Sequence, residues 1–305
     1  MYDKEKIYDR ISRYRLKGSV VMDAPLARET SFGIGGPADI LAVPDNIAEA
    51  VRIVKLCNRE KIPLTILGRG ANLLVKDRGV RGIVMKLGGI CGMRRERDSI
   101  FAGAGAKLGD VCEYARDEGL TGLEFAYGIP GTVGGAVCMN AGAYGGEMKD
   151  VVARSVIMDK KGSIGLLDKS GHKFSYRKSA FQENECIILE TEFLLETSEK
   201  DEISGKMEAN MDKRKATQPL EFPSAGSVFR RPAVDGVYVG PMIEKCGLKG
   251  LRVGGAEVSE KHAGFIINRG GATADDVLSL IRRIQDEVAK RFAVDLALEI
   301  RVIGE

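Results

Sequence analysis

Residues 128–146 carry seven glycines in 19 positions, and this run constrains the fold more than any other stretch of the chain. Glycine weakens helices and strands through its large backbone entropy, so a regular core element of that composition would not hold. What such a stretch offers is bare backbone, against which a flat ligand or a phosphate can lie closely. Turns alone do not need so many glycines. The segment reads Gly128-Ile-Pro-Gly-Thr-Val-Gly-Gly-Ala136 and continues as Asn140-Ala-Gly-Ala-Tyr-Gly-Gly146. The bias extends to the whole chain, which has 38 glycines in 305 residues where average usage of about 7% would give about 21.

Two other glycine segments compete for phosphates. Gly103-Ala-Gly105-Ala-Lys-Leu-Gly109 follows an expected strand and precedes an expected helix. Its third glycine comes one residue late for the dinucleotide fingerprint, and a tight strand-to-helix turn accounts for it better. Leu67-Gly68-Arg69-Gly70-Ala71-Asn72 lies between two expected strands. Its glycines permit positive φ and consecutive exposed N–H groups, a nest suited to a pyrophosphate, although an ordinary loop fits it equally well. No G-x-x-x-x-G-K-[ST] occurs, which excludes a P-loop NTPase.

Composition removes other classes. Hydrophobic residues are 44% and charged residues 29% of the chain, a globular balance, and the length suits two or three folding units. A net charge of +3 gives no basic excess, so no nucleic-acid partner is expected. No two of the six cysteines are closer than 21 residues and only His172 and His262 are present, so neither a paired-cysteine zinc site nor a histidine-rich metal site is expected. Met1–Lys17 mixes acids and bases without an apolar stretch, and no run of 18 apolar residues occurs anywhere. The expectation is a cytoplasmic protein with no membrane segment.

The periodicities indicate an α+β chain. A helix is expected over 46–60, opened by an Asn46/Glu49 capping box, with Ile47, Ala50, Val51 and Val54 on one face. Short strands follow at Leu64–Leu67, Leu73–Val75 and Ile83–Leu87. A second stretch offers a strand at Ile100–Ala102, a helix near Leu108–Glu118, and strands at 152–158, 163–167 and 187–195, the first two joined by a hairpin turn at Lys160–Gly162. Ser198–Arg214 is expected as a helix with Ile203, Met207 and Met211 in register. Thr273–Phe292 has the clearest helical pattern, capped by Thr273 and with Asp275 and Asp276 in its first turn. A strand is expected to run through Leu296–Ile303. These elements suggest lobes at 1–85, 86–200 and 201–305.

Seven segments in order resemble the UDP-N-acetylenolpyruvoylglucosamine reductase family, also called UDP-N-acetylmuramate dehydrogenases. They are TSFGIGGPADI (30–40), ILGRGANLLV (66–75), IPGTVGGAVCMNAGAYGGE (129–147), YRKSAF (176–181), QPLEFPSAGSVFRRP (218–232), LKGLRVGGAEVSEKHAGFIIN (248–268) and LEIRVIG (298–304). The resemblance implies a three-lobed protein in which two α+β lobes form an FAD-binding unit of the vanillyl-alcohol-oxidase type, followed by a substrate-binding lobe. It implies NADPH-dependent reduction of UDP-N-acetylglucosamine enolpyruvate to UDP-N-acetylmuramate, a cytoplasmic step of peptidoglycan synthesis; separately, a monomer is expected. Leu67, Gly68, Arg69, Gly70, Ala71 and Asn72, with Ile129, Pro130, Gly131, Thr132, Gly134, Gly135 and Ala136, would hold FAD. The family often has serine where this chain has Ala71. The short interval between Arg231 and Lys249 resembles the branch without an inserted tyrosine-bearing loop.

The resemblance also assigns chemistry. Arg177 would hold the substrate carboxylate, Ser227 would donate a proton, and Glu299 would polarise the substrate carboxyl or orient a water. Tyr176, Arg214, Arg231, Lys249 and His262 fall where the family contacts nucleotide or sugar. By residue type alone Arg177 reads as a loop arginine, Ser227 as a turn serine and Glu299 as a solvent-facing strand carboxylate. A flavin oxidase of the same superfamily and a non-catalytic nucleotide-binding protein are the competing readings.

Overall fold

A computed structural model describes residues 3–182, 186–232 and 238–305. The chain forms two compact units. The first comprises Met1–Asp23, Asp39–Arg69 and Gly82–Arg214, and the second Ala24–Ala38, Gly70–Arg81 and Lys215–Glu305. Each has its own apolar core.

The first unit holds two larger sheets. In the four-stranded one the order is Ser19–Pro25, Pro37–Val43, Val80–Lys86 and Leu64–Leu67, the last two parallel. Pro37–Val43 buries five consecutive side chains, Ala38–Ala42, as an interior strand does. Helix Ile47–Glu60 covers the core with Ala50, Ile53, Val54, Leu56 and Cys57. Burial pushes the Cys57 thiol up to about 12, so it is an inert apolar group. Half of the expected capping box forms: the Asn46 side chain accepts from the Glu49 N–H at 3.0 Å. Glu49 turns elsewhere and accepts from the N–H groups of Lys17, Gly18 and Asp45. Burial opposes its charge, but those donors outweigh it and hold its carboxyl below the usual range.

The second sheet of this unit is antiparallel throughout, in the order Ile164–Asp168, Val152–Met158, Ile187–Leu194, Ser99–Gly103 and Met93–Glu96. The hairpin turn forms as expected, with the Asp159 carboxylate accepting from Lys161 and Ser163 N–H groups, each at 2.8 Å. Gly103 and Gly105 are packing residues: a Cβ there would collide with the carbonyls of Ile90 and Leu87. The near-fingerprint is therefore a tight strand-to-helix turn leading into helix Leu108–Asp117.

The second unit is built on an antiparallel sheet in the order Ser224–Ser227, Phe265–Asn268, Ala256–Val258 and Arg252–Val253. Helix Ala274–Phe292 buries Ala274, Val277, Leu280, Ile281, Ile284 and Val288 in the core. Thr273 and Asp276 form a reciprocal capping box at its start, and Asp77 accepts from the next two N–H groups, those of Ala274 at 2.9 Å and Asp275 at 3.1 Å. The expected strand Leu296–Ile303 is shorter. Only Arg301–Ile303 is a strand, parallel to Leu73–Val75. Leu298 makes an isolated bridge with Phe229, and Glu299 sits in a bend between that bridge and the strand. The bend arises because the N–H groups of Glu299 and Ile300 both turn onto the Val228 carbonyl, at 2.8 and 3.4 Å.

Candidate active site

Within the first unit, Gly128–Ala136 enters the short helix Val133–Cys138. Thr132 is its N-cap, 7% exposed, and accepts from the Gly135 N–H at 3.5 Å. Gly134 brings the helix onto the end of strand Ser99–Gly103, donating to the Ala104 carbonyl at 2.9 Å, and a Cβ on it would lie 3.0 Å from that of Ala104. A Cβ at Gly68 would lie 2.6 Å from the Thr132 hydroxyl oxygen, so Gly68 and Thr132 meet here with no room for a side chain. Gly131 has open space where its Cβ would be. Leu67 and Ala136 are buried in the core, which leaves only their backbone for a ligand.

The continuation folds into a hairpin, Gly142–Ala143 against Gly146–Glu147, whose two loop residues Tyr144 and Gly145 have φ of +50° and +90°. Two positive-φ residues match the twist of a tight hairpin. Arg177 and Tyr176 occupy the centre of a second tight turn, in which Ser175 and Lys178 exchange N–H to carbonyl bonds at 3.0 Å each. Arg177 has φ +54°, its guanidinium donates to the Gly142 carbonyl at 3.0 Å, and it lies 5.1 Å from the Tyr176 ring centre. Arg214, on helix Lys200–Thr217, packs its side chain against Gly128. Its Nε is buried with no hydrogen-bond partner among the described residues. Burial lowers its pKa, with the nearby Tyr144 acting the other way. The structure thus brings Tyr176, Arg177, Arg214 and the glycine segment into one unit and adds Tyr144 and Asn140. Sequence reading drew no individual role from these two, although both fall in the glycine-rich run it singled out. The only local signal for them is a tyrosine and an asparagine embedded in glycines at a turn.

Within the second unit, Ser227 ends strand Ser224–Ser227. Ser224 pairs with Ile267 and Ser227 with Phe265, so this strand carries one extra residue. The resulting bulge centres on Gly226, φ +78°, and it re-aims Ser227. The Ser227 hydroxyl donates to the Phe229 carbonyl at 3.3 Å. Glu299 is brought beside it, because the Glu299 N–H is bonded to Val228, the next residue. Asn72 completes the group: its amide donates to the Glu299 carbonyl at 3.1 Å and its own carbonyl accepts from Arg301. Glu299 is not a flat strand residue facing solvent but a half-buried one in a bend.

The remaining predicted contacts in this unit are more dispersed. His262 accepts at Nδ1 from the Gly264 N–H at 3.1 Å, which leaves its ring proton on Nε2. Burial lowers its pKa, and Lys249 pushes the same way. The Lys249 ammonium also pairs with Glu244 at 3.1 Å. Arg231 is exposed, with its guanidinium 4.2 Å from the Tyr238 ring centre. Among the described residues no group of histidines, cysteines and carboxylates is placed to hold a metal, and no helix is long and apolar enough to cross a membrane.

Comparison with known proteins bears on both units. Residues 38–166 match the FAD binding domain family, and residues 218–303 match the C-terminal domain of UDP-N-acetylenolpyruvoylglucosamine reductase. The enzyme of that name from Caldanaerobacter subterraneus subsp. tengcongensis is 48% identical over 301 residues, covering 99% of each chain. Its counterpart from Clostridium botulinum is 47% identical over 94% of this chain and 93% of its own. The crystal structure of UDP-N-acetylenolpyruvylglucosamine reductase from Thermus caldophilus superposes with a TM-score of 0.80 at 35% identity, covering 95% of this chain and all of that one. A glucose dehydrogenase, Phl p 4.0202, shares the fold over 64% of this chain and 44% of its own, with a TM-score of 0.50 at 13% identity. The α+β fold with an FAD-binding unit is thereby borne out. With identity near half along the whole length and both family models in their expected places, the chain belongs to the UDP-N-acetylenolpyruvoylglucosamine reductase family.

Proposed function

We propose that this flavoenzyme uses NADPH to reduce the enolpyruvyl ether of UDP-N-acetylglucosamine to UDP-N-acetylmuramate, in the cytoplasm, as a step of peptidoglycan precursor synthesis. The observation that carries the reading is the conjunction of the bulge-aimed Ser227 with Glu299 in a unit whose sequence matches the reductase's own C-terminal domain. An oxidase that shares only the FAD-binding unit gives no reason for that second match.

The residues fit FAD. Gly68 and Gly134 forbid side chains by contact, Gly131 is open, and Thr132 caps a helix start, so a phosphate can approach bare backbone. Leu67–Asn72 and Ile129–Ala136 would hold the cofactor, Leu67 and Ala136 through backbone alone. When bound, FAD supplies a two-electron carrier that accepts hydride from NADPH and passes it to the substrate alkene. In this reading residues 1–85 and 86–200 contribute the two FAD-binding subdomains and 201–305 the substrate-binding one.

The alkene becomes a single bond. Hydride adds to its terminal carbon, electron density moves into the adjacent carboxylate, and a proton then arrives at the carbon bearing the ether oxygen. The planar fork of Arg177 suits a carboxylate that gains charge, because two parallel charge-assisted bonds strengthen as the charge develops. The half-buried Ser227 hydroxyl gives up the proton, and neighbouring groups must support it because a free serine is a weak acid. Glu299 polarises the carboxyl or orients a water beside it. Arg214, whose buried N–H has no partner among the described residues, and Tyr176, Arg231, Lys249 and His262 contribute contacts to nucleotide and sugar. Substituting Ser227→Ala tests the assignment: flavin reduction by NADPH survives and product formation collapses. Normal product formation in that variant removes Ser227 from the proton step.

A further inference from the structure

Asn140 is fully buried, polar and held in the left-handed region at φ +41°. Asparagine is among the few residues that tolerate this backbone. Each polar group of its side chain is used. The amide nitrogen donates to Glu147 Oε2 at 2.7 Å and to the Ser175 carbonyl at 2.9 Å, and the amide oxygen accepts from the Lys149 N–H at 2.9 Å.

These bonds converge on Arg177. Ser175 is the first residue of the tight turn that carries Tyr176 and Arg177, and an arginine at φ +54° persists only where its surroundings over-determine it. The Arg177 guanidinium is in turn anchored on the Gly142 carbonyl, in the hairpin that Asn140 closes through Glu147. Asn140 therefore ties down both the backbone that bears the arginine and the hairpin on which its side chain rests. We propose that Asn140 is a positioning residue that sets the aim of Arg177 toward the substrate carboxylate. This rests on the reading of Arg177 given above.

In Asn140→Asp, both donors become an acceptor facing the Ser175 carbonyl and the Glu147 carboxylate. Adding Glu147→Gln restores a bond between positions 140 and 147 with its polarity reversed, but leaves the Ser175 carbonyl without its donor. The two effects are thereby separable. The assay is anaerobic stopped-flow on the FAD-loaded enzyme, with Tm and amide exchange at Lys178, whose N–H bonds Ser175 across the turn at 3.0 Å, measured in parallel. We expect flavin reduction by NADPH to be unchanged in both variants. Reoxidation by the enolpyruvyl substrate should slow about 100-fold, the loss typical of an ångström-scale misplacement. The double variant should recover the Tm while reoxidation stays slow and the Lys178 amide exchanges faster.

Recovery of Tm and reoxidation together overturns the proposal, as does wild-type reoxidation in Asn140→Asp at a lowered Tm. Should Asn140→Asp fail to fold, Asn140→Gly keeps the backbone conformation and removes all three bonds, with the same outcomes. Arg177→Ala is the control. If it reoxidises normally, Arg177 does not hold the carboxylate and the proposal falls with that reading. If it is slow while the Asn140 variants are fast, only the positioning role falls.

Discussion

Replacing Gly226 by alanine separates the cost of the bulge from its purpose. Gly226 has φ +78° and no heavy atom within 4 Å of where a Cβ would lie, so the substitution meets no steric obstacle. The whole penalty is conformational, about 1–2 kcal/mol for an L-residue in the left-handed region. Urea unfolding should show that loss with an unchanged m-value. The chain can escape the strain by removing the extra residue from the ladder, and in a strand such a slip turns the following side chain to the opposite face. Ser227 is the next residue, so product formation should fall by about 100-fold, far more than the stability change would cause. Unfolding and turnover are to be measured on one preparation. A stability loss above about 3 kcal/mol would mean overpacking and contradict the open space. Wild-type turnover with the expected stability loss would mean that the bulge does not aim Ser227.

Other substitutions follow from the same geometry. Gly68→Ala brings a methyl group 2.6 Å from the Thr132 hydroxyl and should weaken FAD retention, measured by flavin release on dilution, whereas in a Thr132→Ala background the added loss should be much smaller. Asp77→Ala removes the acceptor for two N–H groups at the start of helix Ala274–Phe292 and should cost about 1 kcal/mol by urea unfolding, with no change in flavin content. His172 is fully buried, bonded to the Asp168 carbonyl and Ser155 hydroxyl, and burial pushes its pKa below the ordinary 6.5. The unfolded chain therefore binds this proton first. Stability contributed by neutral His172 is complete above pH 6.5 and is lost as pH falls from there toward the folded-state pKa, by at most about 1.4 kcal/mol per pH unit. His172→Asn should flatten that slope in a pH series of urea midpoints.

Local chemistry was the legible part. Thr273 and the acidic first turn announced helix Ala274–Phe292, and four strands of the five-stranded sheet were expected, whereas its edge strand Met93–Glu96, with every residue exposed, carries no apolar signal and was missed. The near-fingerprint at 103–109 was readable as a turn because its spacing is wrong for a dinucleotide, and the carbonyls of Ile90 and Leu87 supply the reason for its glycines. What failed was governed by partners remote in sequence. Glu49 leaves its helix cap for N–H groups at Lys17 and Gly18. The final strand stops short because Val228 captures two of its N–H groups. Asn72 meets Glu299 across 227 residues of chain, a pairing that no local pattern encodes. The glycine-rich segment declared itself as a ligand surface, yet Asn140 and Tyr144 within it gained meaning only once Ser175, Glu147 and Arg214 were placed around them.

The activity proposed for this chain is reduction of the enolpyruvyl ether by NADPH through bound FAD. Its most direct test is an anaerobic titration of the purified, FAD-loaded protein with NADPH, followed by UDP-N-acetylglucosamine enolpyruvate. The visible flavin bands should bleach on NADPH and return in proportion to substrate added, with UDP-N-acetylmuramate formed in equal amount. Bands that bleach and return only on admitting oxygen, with the enolpyruvyl substrate recovered unchanged, would contradict it.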